Sequence, residues 1–102
     1  MTSPVGSSVP GKVSGPEARQ LVEGGALLLD VRTPEEFAAR HVPGALNIPV
    51  QVLSQRLAEV GSKEREVVVY CQAGGRSARA AAELRQAGFK VHDLGGIGNW
   101  GP

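Results

Sequence analysis

A layered α/β domain, with a mostly parallel sheet and helices on both faces, is the fold class that the sequence predicts, and three features predict it. Two short runs, ALLLDV (residues 26–31) and VVVY (residues 67–70), are apolar at nearly every position, the pattern of strands buried on both faces. The segments between and after them carry helix start signals and apolar residues at helical spacing. Glycine or proline stands at most junctions between the two kinds of segment. Strands alternating with helices in this way form crossovers that cover a parallel sheet on its two sides.

Each element follows in chain order. The first eleven residues, MTSPVGSSVPG, hold too little apolar surface to offset the entropy of ordering, so residues 1–11 are expected as a flexible tail and residues 12–102 as the folded domain. After a short extended piece at Lys12 and Val13, Ser14 and Glu17 have the spacing of a capping box and Pro16 suits a first turn. A helix to about Glu23 is expected, stopped by Gly24 and Gly25 before the strand at residues 26–31. Thr33, Pro34 and Glu36 repeat the start signal more strongly, for a short helix to about Arg40. Pro43 and Gly44 break it, leaving residues 45–48 extended before Pro49. Leu53, Leu57 and Val60 then recur at helical spacing from about Gln51 to Gly61. The charged turn SKERE precedes the strand at residues 67–70, which Cys71 ends. Ser77 is the expected cap of a helix from Ala78 to about Ala87, closed by Gly88, and FKVHDL is the last strand before the tail GGIGNWGP.

Composition narrows the function classes. Eleven basic against ten acidic residues give a net charge of +1, no general field for nucleic acid or an anionic membrane, so no nucleic-acid and no membrane partner is expected. No apolar run approaches the roughly 20 residues of a spanning helix, and the start lacks a basic and apolar leader pattern, which points to the cytoplasm. One cysteine excludes an internal disulfide and a Cys-x-x-Cys redox pair. His92, beside Asp93, has no partner at metal-ligand spacing, so no metal site is expected.

That cysteine opens the segment CQAGGRS, between the end of a buried strand and the start of a helix. Backbone N–H groups from Gln72 through Ala73, Gly74, Gly75 and Arg76 to Ser77 lack helical partners there, and a loop curled around Cys71 aims them at its sulfur. Gly74 and Gly75 make the curl cheap and keep side chains out of the cradle, and Arg76 adds a positive charge. A free thiol has a pKa of about 8.5, and a helix N-terminus is worth up to ~2 kcal/mol, or about 1.5 pKa units, so the thiolate becomes a major species near neutrality. A partly exposed thiolate ringed by donors suits attack on sulfur or phosphorus carried by an anion. The alternative is a small apolar core residue; strand, glycines, arginine and helix start together favour chemistry.

LLLDVRTPEEFAARHVPGALNIP and VVVYCQAGGRSARAAAELRQAGF, followed by LGGI and Trp100, closely resemble the single-domain rhodaneses, a family of sulfurtransferases. The likeness runs from about Lys12 to the C-terminus and rests on Asp-Val-Arg after a strand, Glu36, His41-Val-Pro-Gly-Ala and the loop Cys-x-x-Gly-x-Arg-Ser. It implies a three-layer α/β/α domain on a mostly parallel five-stranded sheet in the order 1-5-4-2-3, with a crevice between the C-terminal ends of the strands carrying Asp30 and Cys71. It also implies thiosulfate sulfurtransferase activity by a two-step route. Cys71 takes the outer sulfur of thiosulfate, or of a protein or small-molecule persulfide, and the resulting persulfide passes it to cyanide, a thiol or a thiol-containing acceptor protein. Residues 72–77 would hold the substrate, and no cofactor is required. Relatives that prefer 3-mercaptopyruvate usually lack an arginine at the Arg76 position, which favours thiosulfate or a persulfide. Arg40 stands where many relatives have glycine.

Two rival functions share these residues. Cell-cycle phosphatases and some arsenate reductases of the same fold place Cys and Arg around an anion loop that is one residue longer, a wider cradle than the four residues between Cys71 and Arg76 provide. A non-catalytic rhodanese-like binding module is the other. Of the remaining candidates, Asp30 either holds backbone donors or Arg76 in place or caps the turn before Thr33. Arg32 is a structural ion-pair partner or attracts substrate. His41 is expected to fix a turn, Trp100 to cover an edge of the core, and Phe37, Tyr70 and Phe89 to lie within it.

Overall fold

The computed structural model describes residues 11–101, so the expected N-terminal tail, apart from Gly11, lies outside the described residues. Helix α1 (Gly15–Glu23) starts at Ser14, whose hydroxyl accepts from the Glu17 N–H while the Glu17 carboxylate accepts from the Ser14 N–H. Strand β1 (Leu27–Asp30) follows, then α2 (Pro34–Ala39), β2 (Leu46–Asn47), a 3-10 helix (Val50–Gln55), α3 (Leu57–Val60), β3 (Val67–Cys71), α4 (Gly75–Gln86), β4 (Val91–Gly96) and a 3-10 helix (Ile97–Trp100). Among the described residues no helix is long and apolar enough to cross a membrane.

Among the described residues the sheet has four strands in the order β2-β1-β3-β4, all parallel, where five were expected. The difference lies at Lys12. It makes one parallel bridge to Asp93 on the outer edge of β4, and the chain turns into α1 too soon for a ladder to form. The bridge nevertheless falls where the predicted order places the first strand. Lys12 Nζ also donates to the buried Asp93 carboxylate at 2.7 Å.

Period-two alternation along β1 and β3 generates two cores. Leu27, Leu29, Val67, Val69 and Cys71 face one side and pack with Val50, Leu53, Val60, Ala80, Ala81 and Leu84. Leu28, Val68 and Tyr70 face the other and pack with Ala18, Leu94 and Ile97, edged by Leu21, Val22 and Trp100. The expected amphipathic helix at residues 51–61 is divided: Arg56, at φ −124°, separates a 3-10 segment from one turn of α-helix. A 3-10 helix brings residues three apart into line, and here that buries Val50 and Leu53 together against the sheet. Phe37, expected in the core, is only half-buried. Its ring stacks on exposed His41, with centroids 3.7 Å apart. Tyr70 and Phe89 are buried as expected.

Candidate active site

Cys71 is the last residue of β3, and its side chain points to the face that α4 covers, so its sulfur lies under the N-terminus of that helix. The cap of α4 is Gly74, not Ser77 as the sequence reading had it. Gly74 has φ 114°, a conformation open to glycine, which reverses the chain in time for α4 to start at Gly75. Ser77 therefore sits within the first helical turn, fully buried, and its hydroxyl donates to the Gly74 carbonyl at 3.0 Å.

The sulfur accepts the Gly74 N–H at 2.9 Å. Burial pushes the Cys71 thiol up; the Ser77 hydroxyl and the N–H groups of Ser77, Gly74 and Ala73 push it down, and together they prevail, leaving the pKa below the ordinary thiol value. The expected partial exposure is not found, since Cys71 is 1% exposed. The curl that aims N–H groups at the sulfur is what covers it, while Gln72 and Ala73 on the loop's outer side are exposed. Cβ-free backbone completes the cradle from β4: a Cβ on Gly96 would stand 2.8 Å from the Gln72 carbonyl oxygen.

Asp30 and Arg32, at the end of the neighbouring strand β1, are both buried. The Asp30 carboxylate accepts the Arg32 backbone N–H at 2.9 Å and its guanidinium at 2.7 Å, so Asp30 holds a backbone donor and Arg32, while Arg76 pairs elsewhere. Arg32 reaches further. Its Nη1 donates to Gln72 Oε1 at 3.2 Å and its Nη2 to the Arg40 carbonyl at 2.6 Å, tying the cysteine loop to the end of α2. Its guanidinium also lies over the Tyr70 ring, 5.6 Å from the centroid. The Tyr70 hydroxyl accepts the Val42 N–H, and burial is the main cause that pushes its pKa up to about 12.

Arg76 projects from the first turn of α4 and meets Glu36 of α2. Nη1 donates to Oε1 at 2.7 Å and Nη2 to Oε2 at 3.0 Å. Glu36 also caps α2 by accepting the Thr33 N–H. These bonds, that from Arg76 first, lower its pKa from 4.5 to about 2. A groove lined by Arg40, His41, Val42, Pro43, Ile97, Trp100 and Gly101 borders this end of the sheet.

The profile of the rhodanese-like domain matches residues 14–101. This chain belongs to the rhodanese-like family. The rhodanese-like domain is 45% identical over 76 residues to a sulfurtransferase of Allochromatium vinosum, covering 72% of this chain and 70% of that one. It is 39% identical over 108 residues to the chloroplastic thiosulfate sulfurtransferase 16 of Arabidopsis thaliana, covering 92% of this chain and 89% of the relative. The human single-domain sulfurtransferase TSTD1 superposes with a TM-score of 0.74 at 36% identity, over 88% of this chain and 91% of that one. Relatives that are sulfurtransferases support a rhodanese-family function.

The rhodanese-like fold thus gathers Cys71, the loop at residues 72–77, Asp30 and Arg32 at one end of the sheet, as the sequence indicated. His41 fixes its turn through a bond from Nδ1 to the Phe37 carbonyl, 2.8 Å. Among the described residues no cluster of His, Cys, Asp and Glu could hold a metal; His92 contacts Glu66 instead. Glu36 is the site residue that sequence reasoning missed. It read as a helix cap and as part of the family pattern, and the cap is real, but its pairing with Arg76 depends on a residue forty positions away. Gly96 was likewise visible only as part of LGGI.

Proposed function

We propose that the protein is a sulfurtransferase that carries sulfane sulfur as a persulfide on Cys71, loaded from thiosulfate or from a protein or small-molecule persulfide. The Cys71 thiolate attacks the outer sulfur of thiosulfate; the S–S bond breaks, its electron pair leaves on sulfite, and a persulfide anion remains on the enzyme. Cyanide then attacks the terminal sulfur to give thiocyanate, or a thiolate attacks it to give a new persulfide, and the Cys71 thiolate is restored. The observation that carries this reading is a lone thiol whose sulfur accepts the Gly74 N–H at 2.9 Å and whose pKa is lowered despite burial. The same donors that stabilise the thiolate suit the larger persulfide anion once the loop gives way by one sulfur. No step calls for a cofactor.

The near-complete burial of Cys71 is the one feature that favours a non-catalytic module. Intact mass decides. After incubation with thiosulfate, the wild type gains one sulfur atom that cyanide removes as thiocyanate, and Cys71→Ser gains none. An unmodified wild type refutes the reading.

A further inference from the structure

Resting on that sulfurtransferase reading, we infer that Glu36 sets the charge selectivity for the sulfur donor, by holding the Arg76 guanidinium in a two-point ion pair at the rim of the Cys71 loop. Glu36 is fixed from two directions, by the two Arg76 nitrogens and by the N–H and hydroxyl of Thr33. Both side chains of the pair are about one-third exposed, 32% for Arg76 and 31% for Glu36, so the pair meets solvent at the edge of the loop rather than lying in the core. Arg76 belongs to the first turn of α4, the helix whose cap, Gly74, donates its N–H to the Cys71 sulfur, so its charge acts at the same end of the loop.

The consequence is a sum of charges. Asp30 and Arg32 cancel each other inside the fold, and Glu36 and Arg76 cancel each other at its rim. Beside the sulfur itself, what attracts an anion is left to the backbone N–H groups of Ala73, Gly74 and Ser77, which act at short range, while Arg40 stands apart in the neighbouring groove. A free arginine would favour a dianion twice as strongly as a monoanion, because the interaction scales with the donor's charge. With its arginine neutralised, the site serves monoanionic sulfane donors, such as persulfide anions and thiosulfonates, without a large bias toward thiosulfate.

Glu36→Gln removes the charge while keeping an oxygen that caps Thr33, the other residue type a capping box accepts. The measurement is the second-order rate constant for sulfur loading on Cys71, read by quenched-flow intact mass, with thiosulfate (dianion) and benzenethiosulfonate (monoanion, leaving benzenesulfinate). The expected result is an increase of about tenfold for thiosulfate and about threefold, its square root, for benzenethiosulfonate, both shrinking with added salt. Arg76→Gln, which leaves Glu36 unopposed, is expected to slow loading with the same square relation between donors. Equal changes for the two donors, or no increase with Glu36→Gln, overturn the inference and leave the sulfurtransferase reading standing. A wild type that loads from neither donor overturns both.

Discussion

Replacing Ser77 with alanine isolates one of the forces acting on the Cys71 sulfur. The Ser77 hydroxyl has one proton, which it gives to the Gly74 carbonyl at 3.0 Å, and it stands near enough to the Cys71 sulfur to lower the thiol's pKa. Given to a thiolate, that proton makes a charge-assisted bond worth about 1.5–3 kcal/mol, at the expense of a neutral bond worth about 1 kcal/mol. The difference, about 0.5–2 kcal/mol, is centred on roughly one pKa unit. Burial, the largest influence on this thiol, acts against the thiolate and stays in place, as do the Gly74 N–H bond and the influence of the Ala73 N–H. Ser77→Ala is therefore expected to raise the Cys71 pKa by about one unit, measured as the midpoint of the pH profile of iodoacetamide alkylation. At a pH well below the midpoint the thiolate fraction falls about tenfold, partly offset by the greater nucleophilicity of a more basic thiolate, so the observed rate there drops about threefold. Losing the bond to the Gly74 carbonyl costs about 1 kcal/mol of stability, which denaturant unfolding reads separately. A midpoint that stays in place or moves down refutes the assignment of Ser77 as a donor to the sulfur.

The two other predictions concern the supports of the loop. Arg32→Met strips the guanidinium from an Asp30 carboxylate that is 0% exposed, and an unpaired buried charge costs about 3–5 kcal/mol, measured by denaturant unfolding; a loss below about 1 kcal/mol refutes the buried pair. Gly96→Ala places a Cβ 2.8 Å from the Gln72 carbonyl oxygen, backbone that cannot swing aside. It is expected to cost about 1–3 kcal/mol and to raise the Cys71 alkylation midpoint as the N–H donors shift; an unchanged protein refutes the close approach of β4 to the loop.

How much was legible follows from how local each feature is. The two capping boxes at Ser14 and Thr33 appear in the structure with both of their reciprocal bonds, because a cap is settled within four residues. The buried strands were legible for the same reason. The 51–61 helix was misjudged because its apolar spacing fits either helix type, and contact with the sheet selected the tighter one. Ser77 looked like the cap because serine is a good one, yet the chain reverses at Gly74, where a positive φ is available. Phe37 looked apolar enough for the core but lies on a short helix with no buried residue, and His41 is its partner.

The sequence by itself determined the layered parallel fold, the position of the single thiol at a strand end, and the glycines that allow its loop to close. Those are properties of short stretches, where periodicity, capping and positive φ are decided by near neighbours. Only the tertiary structure decided that the thiol is covered rather than open, that Arg32 serves the loop through Gln72, and that Arg76 answers to Glu36 rather than to Asp30. Each of those joins elements that the chain places far apart, and a charge has no assigned partner until parallel strands bring their C-terminal ends together.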